Sequence, residues 1–164
     1  MGNDQSDSQP KSQELIEENL TFVRKINDDR FGEGKLMQDR NKNLVLIKNK
    51  ILSTEDACKK YLEDSKIRLE IDMPTIIQLM KVSHSQHNEF CSNFFKVYQA
   101  WEYLDFSLDQ EIIQKQSRNL FYSENELFHM MDCILSGLIY LDSKKIQHGD
   151  IRPHNIFMNE NIYK

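Results

Sequence analysis

Asp150 and Asn155 stand with four residues between them in the segment Ile146-Gln147-His148-Gly149-Asp150-Ile151-Arg152-Pro153-His154-Asn155-Ile156-Phe157. A carboxylate and a carboxamide on one short, proline-stiffened loop can accept a proton and offer an oxygen to a hard cation. Arg152 adds a positive charge two positions after the carboxylate. Other reactive types are less suggestive. Cys58, Cys91 and Cys133 are odd in number and widely spaced, with neither disulfide nor zinc spacing, so buried or idle thiols in a reducing compartment are expected. His84, His87, His129 and His154 are scattered without metal spacing, and His148 reads as a packed structural histidine. An Asp-x-x-x-x-Asn spacing recurs by chance in so polar a chain, so its meaning rests on the elements that position it.

The 164 residues carry 39% hydrophobic and 29% charged side chains with only 5 Gly and 3 Pro, which excludes collagen-like, linker-like and wholly disordered chains. A net charge of −5 without a basic stripe argues against nucleic acid as partner. No apolar run is long enough to span a bilayer, and no secretory signal opens the chain, so a cytoplasmic protein is expected. Residues 1–18 read as a solvated acidic tail. Within it, Met1-Gly2 followed by Ser6 fits the pattern for N-myristoylation at Gly2. One acyl chain gives only marginal binding, so a peripheral membrane association is expected only if Gly2 is acylated.

From Leu20, alternation of Leu20, Phe22, Arg24 and Ile26 with Thr21, Val23 and Lys25 predicts a strand. Leu36-Met37 and the run Leu44-Val45-Leu46-Ile47, ending on Lys48, predict two more, joined by a turn at Arg40-Asn41-Lys42-Asn43. Ser53 or Thr54 caps a helix whose stripe is Cys58, Leu62, Ser65 and Leu69 and which Pro74 closes. Ile76-Ile77 and Leu79-Met80 precede a polar loop at 83–89; Phe94–Tyr98 and Ala100–Tyr103 read as two further strands. The clearest helix opens on the capping box Ser123-Glu124-Asn125-Glu126. Leu127, Met131, Ile134, Leu138 and Leu141 then recur at alternating spacings of 4 and 3, flanked by Phe128, Met130, Leu135 and Ile139, a surface broad enough to be covered on several sides.

In this context the 146–157 segment resembles the catalytic loop of the eukaryotic protein kinases, His-Arg-Asp-Leu-Lys-Pro-x-Asn, with Asp150, Pro153 and Asn155 in register. Leu46-Ile47-Lys48 is similar to the family's Val-Ala-Ile-Lys strand, and Glu102-Tyr103 to its hinge. The resemblance covers Leu20 to Lys164. It implies an α+β, protein kinase-like fold: a small antiparallel-sheet lobe with one helix, plus the first helices and catalytic loop of an incomplete α-helical large lobe. The lobes divide as 19–104, small lobe and hinge, and 105–164, the start of the large lobe. It further implies transfer of the γ-phosphate of ATP to Ser or Thr of a protein, with Asp150 as base, Asn155 on Mg2+, Lys48 on the phosphates and Arg152 on the developing charge.

The departures are as informative. The family's glycine-rich loop aligns with Asn27-Asp28-Asp29-Arg30-Phe31-Gly32, where only Gly32 survives; a rival register reads Gly32-Glu33-Gly34. Carboxylates there repel phosphate, so weak nucleotide affinity is expected. The loop arginine is Gly149, which implies a protein not switched by activation-loop phosphorylation. The helix carboxylate that would pair with Lys48 is Asp64 by spacing from Pro74 and Glu63 by residue type. Trp101 falls where its bulk narrows the back of the adenine pocket. Lys164 comes before any Asp-Phe-Gly segment, so the 164 residues are expected to be impaired as a kinase on their own. The alternatives are a pseudokinase or scaffold, and a small-molecule phosphotransferase, whose loop His148-Gly149-Asp150…Asn155 also resembles.

Overall fold

The computed structural model describes residues 16–28, 32–89 and 92–164; Gly2, Asp29–Phe31 and Cys91 lie outside these. Five strands form one antiparallel sheet: β1 (Thr21–Asp28), β2 (Gly32–Gln38), β3 (Leu44–Leu52), β4 (Leu79–Glu89) and β5 (Ser92–Glu102), in the spatial order β1-β2-β3-β5-β4. Helix α1 (Glu55–Leu69) crosses between β3 and β4. Helices α2 (Leu108–Ser117) and α3 (Glu124–Ser143) follow, then a 3-10 turn (Pro153–Asn155) and the two-residue strands β6 (Met158–Asn159) and β7 (Ile162–Tyr163). This is the small sheet-and-helix lobe plus the helical opening that the sequence predicts.

The apolar run of β3 serves both faces of the sheet. Val45 and Ile47 pack with Ile16, Met37, Tyr98 and Ala100 on one face, and Leu46 packs with Ile26, Leu36 and Tyr103 on the other. The β2–β3 turn closes because Asp39 accepts from the backbone N–H of Asn41 and Asn43, both at 2.8 Å, while Lys42 takes a positive φ of 68°. Gly34 lies inside β2, where a β-carbon would sit 2.8 Å from the carbonyl oxygen of Ile47. It is a strand glycine, present because β3 passes too close for a side chain.

Two readings of this region are corrected. The polar stretch 83–89 is not a loop but the outer half of β4, paired from Ser83↔Tyr98 onward with β5. Ser, His and Gln occur there because β4 is an edge strand, with its outward face and edge in water. The two strands expected over 94–103 are likewise one, since β5 runs unbroken from Ser92 to Glu102 between β3 and β4 and leaves Tyr103 outside.

Thr54 caps α1, accepting from the N–H of Ala57 at 3.2 Å. Cys58 and Ser65 are buried, whereas Leu69 at the end of the expected stripe is exposed. The polar core of this helix contact is Gln99. Its side-chain oxygen accepts from Tyr61 Oη and Trp101 Nε1, each at 3.2 Å, and its amide donates to Ser65 Oγ at 2.9 Å.

Helix α2 was not apparent in the sequence, because its buried positions are Leu108 and a carboxylate, Glu111. That carboxylate accepts from Tyr163 Oη at 3.2 Å, and burial followed by the Glu111 charge pushes the Tyr163 phenol above the usual tyrosine range. The capping box of α3 forms as expected: Ser123 N–H donates to Glu126 at 2.6 Å and Glu126 N–H to Ser123 Oγ at 3.3 Å. Lys115 of α2 donates to the same carboxylate at 2.8 Å. Among the described residues α3 is covered on one side only: Cys133, Gly137 and Leu141 are buried, while Leu127, Phe128, Met131, Leu135 and Ile139 are exposed.

Two predictions follow from this packing. Gly34→Ala should destabilise the fold by about 1–3 kcal/mol in urea denaturation, since the new methyl meets backbone; an unchanged midpoint would show that β3 can retreat. Lys115, then Ser123, hold the Glu126 carboxyl at about 2, below its ordinary 4.5. A depressed carboxylate contributes stability above its unfolded value and loses it as pH falls towards the folded one. Acid unfolding between pH 4.5 and about 2 should therefore be shallower in Glu126→Gln than in the parent, followed by circular dichroism.

Candidate active site

The loop that carries Asp150 begins where α3 stops. Lys144 and Ile146 N–H groups fold back on Leu141 O at 3.0 and 2.9 Å, and Lys145 turns the chain with a positive φ. Gly149 also has positive φ, 81°, and nothing lies within 4 Å of where its β-carbon would be. Glycine removes the backbone strain that an arginine would carry there. Further on, the Pro153–Asn155 turn closes with Asn155 N–H donating to Arg152 O at 2.8 Å.

The far end of the loop is clamped. Leu108 N–H donates to Ile156 O at 2.8 Å, Met158 N–H to Phe106 O at 2.9 Å, and Phe157 and Lys164 exchange both backbone bonds. Ile156 and Phe157 are buried beneath this clamp. His154 and Asp109 add a contact at 3.4 Å, and the Asp109 carboxyl is lowered chiefly by the Ser107 hydroxyl.

On this frame the Asn155 amide donates to Asp150 twice, to its carboxylate at 2.8 Å and its backbone oxygen at 3.1 Å. Both contacts use the nitrogen, so the Asn155 Oδ1 lone pairs point elsewhere and suit a hard cation. Arg152 donates to the same carboxylate oxygen at 3.0 Å. Asp150 and Arg152 are otherwise exposed. So is His148, whose Nδ1 accepts the Asp150 N–H at 3.4 Å. The expectation of a packed His148 is corrected: its side chain is exposed at the mouth of the cleft that α3 and the loop line.

Lys48 faces a cleft of about 470 Å³ between the sheet, α3 and the loop, whose lining includes Leu46, Trp101, Glu102, Asn155 and Phe157. Burial lowers the Lys48 ammonium below the usual lysine range. The structure does not bring Glu63 or Asp64 to it; both are exposed, and the α1 residue turned inward is Ser65. Gly32 opens β2 opposite Asp28, at one end of the hairpin whose tip lies outside the described residues. Glu102 reaches in two directions, accepting from Gln78 N–H at 3.2 Å and from Lys164 Nζ at 2.5 Å. Lys164 and Gln99 are site residues that sequence reasoning missed. Neither carries a local signal, since the helix contact of Gln99 and the ion pair of Lys164 each join partners more than thirty positions apart.

A family model described as Protein kinase domain matches residues 21–163. The chain belongs to the protein kinase domain family. It is 28% identical to MAP kinase kinase MKK1/SSP32 of Saccharomyces cerevisiae over 95% of its own length and 35% of that protein's. It is 24% identical to the mouse serine/threonine-protein kinase Nek5 over 88% of the chain and 21% of the relative. Against 3-phosphoinositide-dependent protein kinase B of Dictyostelium discoideum, identity is 28% over 85% of the chain and 15% of the relative. The kinase chain thus spans roughly a third or less of the length of these curated relatives.

Protein kinases generally use ATP and Mg2+. The residues here fit in part: Asn155 offers one oxygen beside Asp150, and Lys48 lies in the adjoining cleft. Among the described residues no group of three His, Cys, Asp or Glu side chains could hold a metal. No described helix is long and apolar enough to cross a membrane.

Glu102 and Lys164 are largely buried, so breaking one partner strands the other. Glu102→Gln should cost about 2 kcal/mol of unfolding free energy, and adding Lys164→Met should recover part of it. Strictly additive losses in that double-mutant cycle would show that the pair is not coupled.

Proposed function

We propose that this chain forms the nucleotide cleft and catalytic loop of a protein serine/threonine kinase that transfers the γ-phosphoryl group of ATP to a protein hydroxyl. The observation that carries the reading is the Asn155–Asp150 pair, bonded within a clamped loop beside the cleft that Lys48 enters. Asp150 takes the proton of the incoming hydroxyl as its oxygen bonds to phosphorus and ADP departs. Asn155 holds Asp150 in place through its nitrogen and presents Oδ1 to Mg2+. The bound metal ion would neutralise charge on the phosphates. Lys48 binds the phosphate chain, and its burial strengthens that attraction by excluding water. Arg152 lies 3.0 Å from Asp150 and keeps positive charge at the transfer site. Gly32 borders the phosphates from the β1–β2 hairpin and Glu102 marks the adenine end. In this reading Glu63 keeps no role at Lys48, because it faces solvent.

The second reading, a pseudokinase or scaffold, draws on that same observation: α1 offers Lys48 no carboxylate. Nucleotide binding separates the two. ATP titrated with and without Mg2+ should give saturable binding that Lys48→Met abolishes. In protein isolated from its own cells, Asp150→Asn should lower phosphoryl transfer at least about a hundredfold while leaving ATP affinity unchanged. Absence of nucleotide binding in the unsubstituted protein would favour the scaffold. We also infer that a polypeptide of these 164 residues turns over poorly by itself, because the described residues hold no group of three His, Cys, Asp or Glu side chains for a metal and only the Asn155 carboxamide oxygen beside the base was found to suit one. Strong Asp150-dependent turnover by that purified polypeptide would overturn this.

A further inference from the structure

Helix α1 turns a cation, not a carboxylate, towards the cleft. Tyr61, Ser65 and Arg68 are spaced at four and three residues and so share one face of the helix. Tyr61 and Ser65 are tied to Gln99, which lies directly across the strand pair from Lys48. Arg68, one turn beyond Ser65, lines the same cleft as Lys48. Its positive charge is also felt at the Tyr61 phenol, which it favours in the ionised form against the effect of burial. Glu63 and Asp64, between these positions, face water.

We propose that Arg68 is a second phosphate-binding cation, which with Lys48 takes the polyphosphate chain of the nucleotide. Three observations support it. The Arg68 guanidinium makes no hydrogen bond or ion pair among the described residues. The cleft lining holds Lys48, Arg68 and Lys164 against one carboxylate, Glu102, which is already bonded to Lys164. And the sequence segment that aligns with the family's glycine-rich loop has Asn27 and Asp29 where glycines are expected, so a planar fork of N–H donors from α1 adds phosphate contacts that such a segment supplies poorly. The helix dipole alone is a weaker explanation. Lys66 already places a cation in the last turn, and a dipole gives no reason for Arg68 to line the cleft.

The inference rests on the nucleotide-binding reading above, and the test keeps the two apart. The full chain, Arg68→Leu and Arg68→Lys are titrated calorimetrically with ATP, adenosine and inorganic tripolyphosphate. Urea denaturation confirms that each variant is folded. Arg68→Leu should weaken ATP and tripolyphosphate at least about tenfold with adenosine unchanged, and Arg68→Lys should recover part of the loss. The salt dependence of tripolyphosphate binding should also become shallower in Arg68→Leu. Unchanged tripolyphosphate affinity in Arg68→Leu overturns the inference, as does an equal loss for adenosine, which would mark a structural role. Failure of the unsubstituted chain to bind either ATP or tripolyphosphate overturns the nucleotide reading itself.

Discussion

The buried carboxamide of Gln99 sets the geometry on which the rest of this cleft depends. A primary amide that is 7% exposed must find partners for both its ends, and three side chains supply them: Tyr61 and Ser65 from α1, and Trp101 from its own strand. Satisfying them fixes the rotation of α1 about its axis. With Ser65 held against the sheet, Glu63 and Asp64 point away from the cleft, and Arg68, itself exposed, lines it. The α1 charge that lines the Lys48 cleft is thereby positive. The same amide anchors the Trp101 indole, so the back wall of the cleft is fixed by a hydrogen bond as well as by packing.

A second constraint, made of backbone, governs the loop. The segment 106–108 accepts and donates bonds to 156–158, and Lys164 closes the other side through Phe157. Because Ile156 and Phe157 are driven into the core beside Leu108, Asn155 emerges from a rigid base, and Asp150 is held in turn by Asn155. Glu102 joins the two constraints. It accepts from Gln78, just before β4, and from Lys164, just after β7, coupling the sheet to the loop through one carboxylate.

Segments that declare themselves by local chemistry were legible. The Thr54 cap, the Ser123–Glu126 capping box, the Asn41–Asn43 turn and the apolar run of β3 each express a preference that operates within a few residues. Ser83–Glu89 was not legible as a strand. Its side chains are those of a solvated edge, and its pairing with β5 is a backbone property that no residue type reports. Helix α2 was hidden for a related reason, since it buries a carboxylate whose partner, Tyr163, lies 52 positions away.

By itself the sequence determined the kinase family, the loop with Asp150, Pro153 and Asn155, and the lysine at the end of the third strand's apolar run. Those features are spacings along the chain, and spacing survives without any knowledge of the fold. Only the tertiary structure decided which α1 side chain lines the cleft with Lys48, that Arg152 bonds to Asp150, and that Lys164 meets Glu102. One residue of helix rotation moves a side chain by about 100°, as 3.6 residues per turn requires. Neighbouring Glu63, Asp64 and Ser65 therefore differ completely in destination while differing little in sequence position. What selects among them is a hydrogen bond to Gln99, a residue brought to α1 only when β5 is threaded between β3 and β4.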